Sequence, residues 1–156
     1  MKILLVLSLI AACSLSPIVK AQNLKTQINQ SFLVDSNFDF GGKVYFNCSS
    51  LENQFSVLLK TLGATDVKVT CNGGFTQGLP PIAWEANVKV SYTAVDNDDN
   101  SQSNFKAVKL NQSESCFLMT QLFRQVEHSF TFKNLKVTRT CMEADAPFHL
   151  ETEVLN

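Results

Sequence analysis

The segment CSSLENQFSVLLKTLGATDVKVTC, residues 48–71, contains the pattern that decides the fold. Its apolar residues recur at the spacing of one helical face, which predicts a buried amphipathic helix: Leu51, Phe55, Leu58, Leu59 and Leu62. Ser49 and Glu52 have the spacing of a capping box at the start of this helix, with Ser50 as the alternative cap. Gly63 is typical of the left-handed residue that ends a helix.

Strands are predicted on both sides of this helix. Residues 44–48 and 67–71 alternate apolar and polar side chains, so the three elements form a strand-helix-strand unit. The clearest alternation covers residues 84–94, with one face buried and one facing water, as in an antiparallel sheet that is covered on one side. A polar loop at 96–104 and a short strand at 105–110 follow.

A second helix at 115–128 and strands at 130–132, 135–141 and 148–155 complete the chain. A shift of 68 residues carries the first helix onto the second, where the following positions coincide: Cys48 with Cys116, Leu51 with Met119, Phe55 with Phe123, Leu58 with Val126, and Leu62 with Phe130. Two interpretations stay open: a duplicated β-α-β-β unit, or the ordinary succession of a helical stripe and an alternating strand. Under both, the sequence predicts an α+β domain in which two helices pack on a mainly antiparallel sheet.

The N-terminus has the anatomy of a secretory signal, since Lys2 precedes an almost wholly apolar run at 3–12. Neither this run nor any later segment reaches the roughly 20 residues that a transmembrane helix needs. Val19-Lys20-Ala21 predicts cleavage after residue 21. The alternative is the segment 10–13, which resembles the lipobox of bacterial lipoproteins, so that Cys13 carries a lipid anchor.

We therefore expect a signal peptide at 1–21, a flexible lead-in at 22–42 with at most one strand near its end, and a single domain at 43–156. The mature protein is then periplasmic or secreted, or else it is attached through Cys13 to a bacterial envelope. A bacterial source is favoured, because the three Asn-x-Ser/Thr sites in the chain are close to the number that chance gives.

Four cysteines remain in the mature domain under either cleavage, and an even count in an exported protein indicates disulfides. If the strands flanking the first helix are parallel neighbours, Cys48 and Cys71 lie at the same end of that pair, within the separation that a disulfide requires. Cys116–Cys141 follows by analogy. The competing interpretation is a bridge between the two halves.

Composition and motifs argue against several functions. The formal net charge of −1 gives no basic field for nucleic acid. The sequence contains no Gly-x-Ser-x-Gly elbow and no zinc-binding spacing, and we interpret His128 and His149 as surface residues. The segment 96–100 matches only the start of a calcium loop and is interpreted as a solvated hairpin. We expect no catalytic residue, metal or cofactor.

One loop, residues 72–83, combines glycines and prolines with Phe75 and Leu79, which could present apolar anchors to a partner. The alternative is that both side chains cover the core of the domain itself. We therefore expect a non-catalytic module that binds a protein or an envelope component. The alternatives are a small hydrolase that uses scattered carboxylates, and a proteinase inhibitor that inserts the 72–83 loop.

Overall fold

The computed structural model describes residues 25–35, 47–73, 85–95, 104–112, 116–141 and 146–155. In chain order, its elements are β1 (Lys25–Asp35), α1 (Cys48–Thr61), β2 (Thr65–Gly73), β3 (Glu85–Val95), β4 (Phe105–Gln112), α2 (Cys116–Val126), a short 3-10 turn (Glu127–Ser129), β5 (Phe132–Val137) and β6 (Phe148–Leu155). The α+β class is confirmed. The strands form two antiparallel sheets of three strands each, where the sequence predicts one sheet.

The two sheets have the same topology. In the first, β3 lies between β1 and β2, and in the second, β6 lies between β4 and β5. Each sheet therefore comes from one half of the chain, which runs strand, helix, strand, strand, with the last strand at the centre. We refer to β1 through β3 as the first half and to β4 through β6 as the second half.

The halves also share a local irregularity. The register between β2 and β3 shifts between Thr65 and Lys68, and the register between β5 and β6 shifts between Lys133 and Lys136. A shift of 68 residues carries each position of the first bulge onto its counterpart in the second. The same β-bulge at the same place in both sheets supports the duplication, because bulges are specific features and not part of the regular ladder.

One hydrophobic core joins the halves. The buried faces of both helices and of both central strands belong to a single cluster. Each helix also contacts the first strand of the other half. At one such contact, the Gln121 side chain of α2 accepts from the Asp35 backbone N–H at 3.3 Å and donates to its carbonyl at 3.0 Å.

A second contact between the halves is aromatic. The rings of Tyr92 on β3 and Phe130 lie nearly parallel, with centroids 5.9 Å apart. Tyr92 is fully buried, and this burial raises the pKa of its phenol, an effect that the Ser129 hydroxyl partly offsets.

The N-terminal part of the domain differs from the prediction. Residues 25–35 of the expected flexible lead-in form β1, an edge strand paired with β3 over its whole length. Cys48 begins α1 instead of ending a strand. Asn47 is the N-cap, and its side chain accepts from the Ser49 backbone N–H at 2.8 Å. Glu52 is not part of a capping box, since its carboxylate accepts from the Cys71 N–H at 2.7 Å.

Both disulfides lie within the halves. Cys48–Cys71 has a Cα–Cα distance of 5.3 Å, and Cys116–Cys141 one of 5.8 Å. The predicted reason for the first pair was wrong, because Cys48 begins α1 and does not lie at the end of a strand beside β2. Each bridge instead ties the first residue of a helix to the strand that follows the helix or to the chain just beyond that strand.

Candidate functional site

Several predicted features lie outside the described residues. These are Phe75 and Leu79 with most of the 72–83 loop, Cys13 with the signal segment, and the acidic loop at 96–103. The candidate site must therefore be sought on the two sheets and helices. No described helix is long and apolar enough to cross a membrane.

Titratable groups of the described residues do not assemble into a metal site, since no three His, Cys, Asp or Glu side chains there come together. His128 is exposed in the 3-10 turn. His149 is exposed on β6, on the side opposite to the buried Phe148 and Leu150, as expected. Glu127, one of the scattered carboxylates, forms an ion pair with Arg139 at 3.2 Å.

The outer face of the first sheet is mostly polar, and its large exposed apolar side chain is Leu33, next to Asn87. Cross-strand partners on this face form successive rows, of which the two central ones are Ser31, Lys89 and Thr70, then Asn29, Ser91 and Lys68. These six side chains line an open groove of about 420 Å³, which we call groove 1. Besides the two lysines, groove 1 is lined by amides and hydroxyls, and Thr70 is the β-branched residue among these six side chains.

The lysines give groove 1 its charge. Lys68 and Lys89 lie in adjacent rows on adjacent strands, and within the described part of the chain neither forms an ion pair. The carboxylates of this face lie towards its ends, with Asp35 opposite Glu85 at one end. At the other end Asp66 accepts from the Thr93 hydroxyl at 3.2 Å. Two lysines therefore line groove 1 together, and none of the residues that line it is acidic.

The second sheet has a groove at the corresponding place, of about 480 Å³, which we call groove 2. Its rows are Asn111, His149 and Thr138, then Lys109, Glu151 and Lys136. When the two sheets are aligned strand by strand, each residue of groove 1 has an equivalent in groove 2. The equivalent pairs are Ser31 and Asn111, Lys89 and His149, Thr70 and Thr138, Asn29 and Lys109, Ser91 and Glu151, and Lys68 and Lys136.

Equivalent residues keep equivalent contacts. The Thr70 hydroxyl donates to the carbonyl of Lys89 at 3.5 Å, and the Thr138 hydroxyl accepts from the N–H of His149 at 3.0 Å. Each therefore bonds the backbone of the central-strand residue opposite. His149 Nδ1 lies 2.8 Å from Asn111 Oδ1, a contact that fixes the orientation of the imidazole ring.

The charge at the centre of the two grooves differs. Ser91 lies between Asn29 and Lys68 in groove 1, whereas Glu151 lies between Lys109 and Lys136 in groove 2. Directly opposed side chains on one face of a sheet have Cβ atoms about 5 Å apart. Groove 2 therefore has a carboxylate on its central strand, where groove 1 has the hydroxyl of Ser91.

Sequence reasoning missed both grooves. The alternation of residues 84–94 predicts that Lys89 and Ser91 face water, but not which strands lie beside them. That information is in the sheet order, which pairs β1 with β3 although residues 36–84 separate them in the chain. A signal was nevertheless present, since Val67-Lys68-Val69-Thr70 and Leu135-Lys136-Val137-Thr138 repeat the same pattern.

Comparison of the chain with protein-family models, curated proteins and solved structures finds no match. Function is therefore inferred from the geometry of the two sheets.

Proposed function

We propose that this protein is an exported, non-catalytic binding module that holds an acidic polysaccharide in groove 1. The observation that carries the proposal is the placement of Lys68 and Lys89, two ammonium groups without carboxylate partners among the described residues. Two like charges held side by side favour the binding of an anion, which lowers their repulsion.

The neutral residues around the lysines favour a sugar as the carrier of this anion. Asn29, Ser31, Thr70 and Ser91 supply amide and hydroxyl groups that can exchange hydrogen bonds with sugar hydroxyls. The described outer face of the first sheet has no aromatic side chain for stacking nucleobases, and its exposed apolar residue, Leu33, lies outside groove 1. Groove 1 is also open, as a site for part of a long polymer must be.

Export agrees with this ligand. The signal segment and the two disulfides are typical of a protein that works outside the cytoplasm, where envelope and matrix polysaccharides are found. Mass spectrometry of the native mature protein tests this part, with Gln22 as the expected first residue and a diacylated Cys13 as the alternative. A mature protein that begins at Met1 with four free thiols would contradict export.

A hydrolase remains the second candidate from the sequence, and the described residues favour it less. Asp35 and Glu85 lie opposite each other, but on directly paired strands and not across a cleft. Glu151 and Glu153 are neighbours on one face of a single strand, β6. Lysines of the adjacent strands lie opposite both of them. A glycosidase needs two carboxyl groups that flank the scissile bond.

Calorimetric titration of the mature protein with hexagalacturonate tests the proposal. The matched ligand is the fully methyl-esterified hexasaccharide, which keeps the ring hydroxyls and loses the charge. We expect binding of the acid form only, and a five- to tenfold loss of affinity in each of Lys68→Gln and Lys89→Gln, an order of magnitude set by one removed charge contact. Lys60→Gln, which removes an exposed lysine of α1, is the control variant and should bind as the wild type does.

Three results would contradict the proposal. One is equal binding of the acid and the ester, since charge would then play no part. Another is unchanged affinity in both groove variants. The third is the absence of binding to the acidic hexasaccharide by the folded wild type.

A further inference from the structure

The six positions of groove 1 recur in groove 2 with related chemistry. Lys68 corresponds to Lys136 and Thr70 to Thr138, so the residue type is the same in both grooves at these two positions. The equivalent of Lys89 is His149, whose protonated imidazole is also a cation that donates hydrogen bonds. Surface positions on a sheet tolerate many polar residues, so the fold alone does not require a lysine and a threonine at these two places in both halves.

The substitution that separates the grooves is Glu151 in place of Ser91. Glu151 lies on the central strand with Lys109 on one side and Lys136 on the other. The Glu151 carboxylate thus adds a negative charge to the groove that Lys109 and Lys136 line, without forming an ion pair with either lysine among the described residues. The negative charge of Glu151 therefore repels an anionic ligand that enters groove 2.

We infer that groove 2 is a second site for the same acidic sugar group, closed in the wild-type protein by Glu151. The inference rests on the proposed function of groove 1, because groove 1 defines the ligand. The wild type then binds one acidic group per chain, and removal of one carboxylate opens a second site. The remaining charged and titratable groups that face groove 2 are Lys109, Lys136 and His149.

The test uses a chain in which groove 1 has been disabled. In the mature Lys68→Gln, Lys89→Gln double variant, binding of hexagalacturonate should be lost. Adding Glu151→Ser, which copies Ser91, should restore binding to within about tenfold of the wild-type affinity, and adding His149→Lys as well should bring it closer. Glu153→Ser in the same background is the matched control, since it removes a neighbouring carboxylate of β6 outside groove 2 and should restore nothing.

The reciprocal change is Ser91→Glu in an otherwise wild-type chain. It should weaken binding in groove 1 by about three- to tenfold, the effect of one like charge at cross-strand distance. Circular dichroism and thermal unfolding establish that each variant is folded.

The two hypotheses fail differently. If the wild type binds and the double variant does not, but Glu151→Ser restores nothing in a folded chain, the inference is overturned and the proposed function stands. If the wild type does not bind the acidic hexasaccharide, both are overturned. Equal restoration by Glu153→Ser would also overturn the inference, because a general change of charge would then explain it.

Discussion

Asp66 and Asn134 adopt the same left-handed backbone conformation, each with φ at 54°, at equivalent positions of the two sheets. Both side chains also bond the central strand, since Asp66 accepts from Thr93 at 3.2 Å and Asn134 donates to Glu153 at 3.4 Å. Asp and Asn are the residues other than glycine that tolerate this conformation best. The match extends the duplication from topology to single residues, and it places grooves 1 and 2 in register.

The bulges should therefore be sensitive to the residue type at these two positions. Asp66→Ala and Asn134→Ala should each lower the free energy of unfolding by about 1–2 kcal/mol, because alanine is strained at positive φ. Asp66→Gly and Asn134→Gly should lose less, since glycine accepts this conformation. Urea unfolding measures all four variants, and equal losses for alanine and glycine would show that backbone strain is not the cause.

Buried Tyr92 predicts instability at alkaline pH. Burial raises the pKa of its phenol in the folded state above the ordinary value of 10.0. As the pH rises through about 10, the unfolded chain loses this proton first, so the free energy of unfolding falls. Tyr92→Phe should reduce this fall above pH 10 and change stability little at pH 7. Thermal unfolding between pH 7 and 11 measures it, and identical profiles would contradict the assignment to Tyr92.

The two disulfides should differ in their accessibility to reductant. Cys116 and Cys141 are buried, at 0% and 8% exposure, whereas Cys48 and Cys71 are partly exposed. Limited reduction followed by alkylation and peptide mass mapping should therefore label Cys48 and Cys71 first. Prior labelling of Cys116 and Cys141 would indicate that the second half opens more easily than its burial suggests.

The contact of Gln121 with Asp35 should contribute to the joining of the two halves. Gln121→Ala removes both hydrogen bonds to the edge strand β1 and should cost about 1–2 kcal/mol of unfolding free energy. Gln125→Ala changes an exposed glutamine on the same helix and serves as the control, with little expected effect. Equal stability of the two variants would show that this contact contributes nothing.

Local sequence patterns predict the elements well in this protein. The stripe from Leu51 to Leu62 and the alternation at 84–94 are realised in α1 and β3 with small changes at their ends. The within-half pairing of the cysteines also agrees with the structure. These features depend on short stretches of chain, where periodicity and turn residues decide the outcome.

The wrong predictions concern contacts between residues that are far apart in the sequence. The polar, mixed composition of residues 22–42 predicts a flexible segment, but residues 25–35 pair with β3, and Ile28, Phe32 and Val34 pack on the core. Cys48, predicted to end a strand at 44–48, begins the helix instead, and residues 44–46 lie outside the described residues. Strands expected at 130–132 and 135–141 are one strand, β5, whose irregular spacing results from the bulge at Asn134. Partners distant in the chain decided each case.

The candidate site depends on the same long-range information. A single strand shows only that Lys89 is exposed, and the significance of Lys89 comes from Ser31 and Thr70 on the strands beside it. The predicted binding loop with Phe75 and Leu79 lies outside the described residues and remains a separate prediction.

The most direct test of groove 1 is the mapping of amide chemical shifts in a ¹⁵N-labelled mature protein titrated with hexagalacturonate. The account predicts that the largest changes fall on the amides of Asn29, Ser31, Lys68, Lys89 and Ser91, with the groove 2 amides unchanged until Glu151 is replaced. The methyl-esterified hexasaccharide should leave all of these signals in place. Changes confined to the 72–83 loop, or spread evenly over exposed lysines, would contradict the claim that the first sheet carries the binding site.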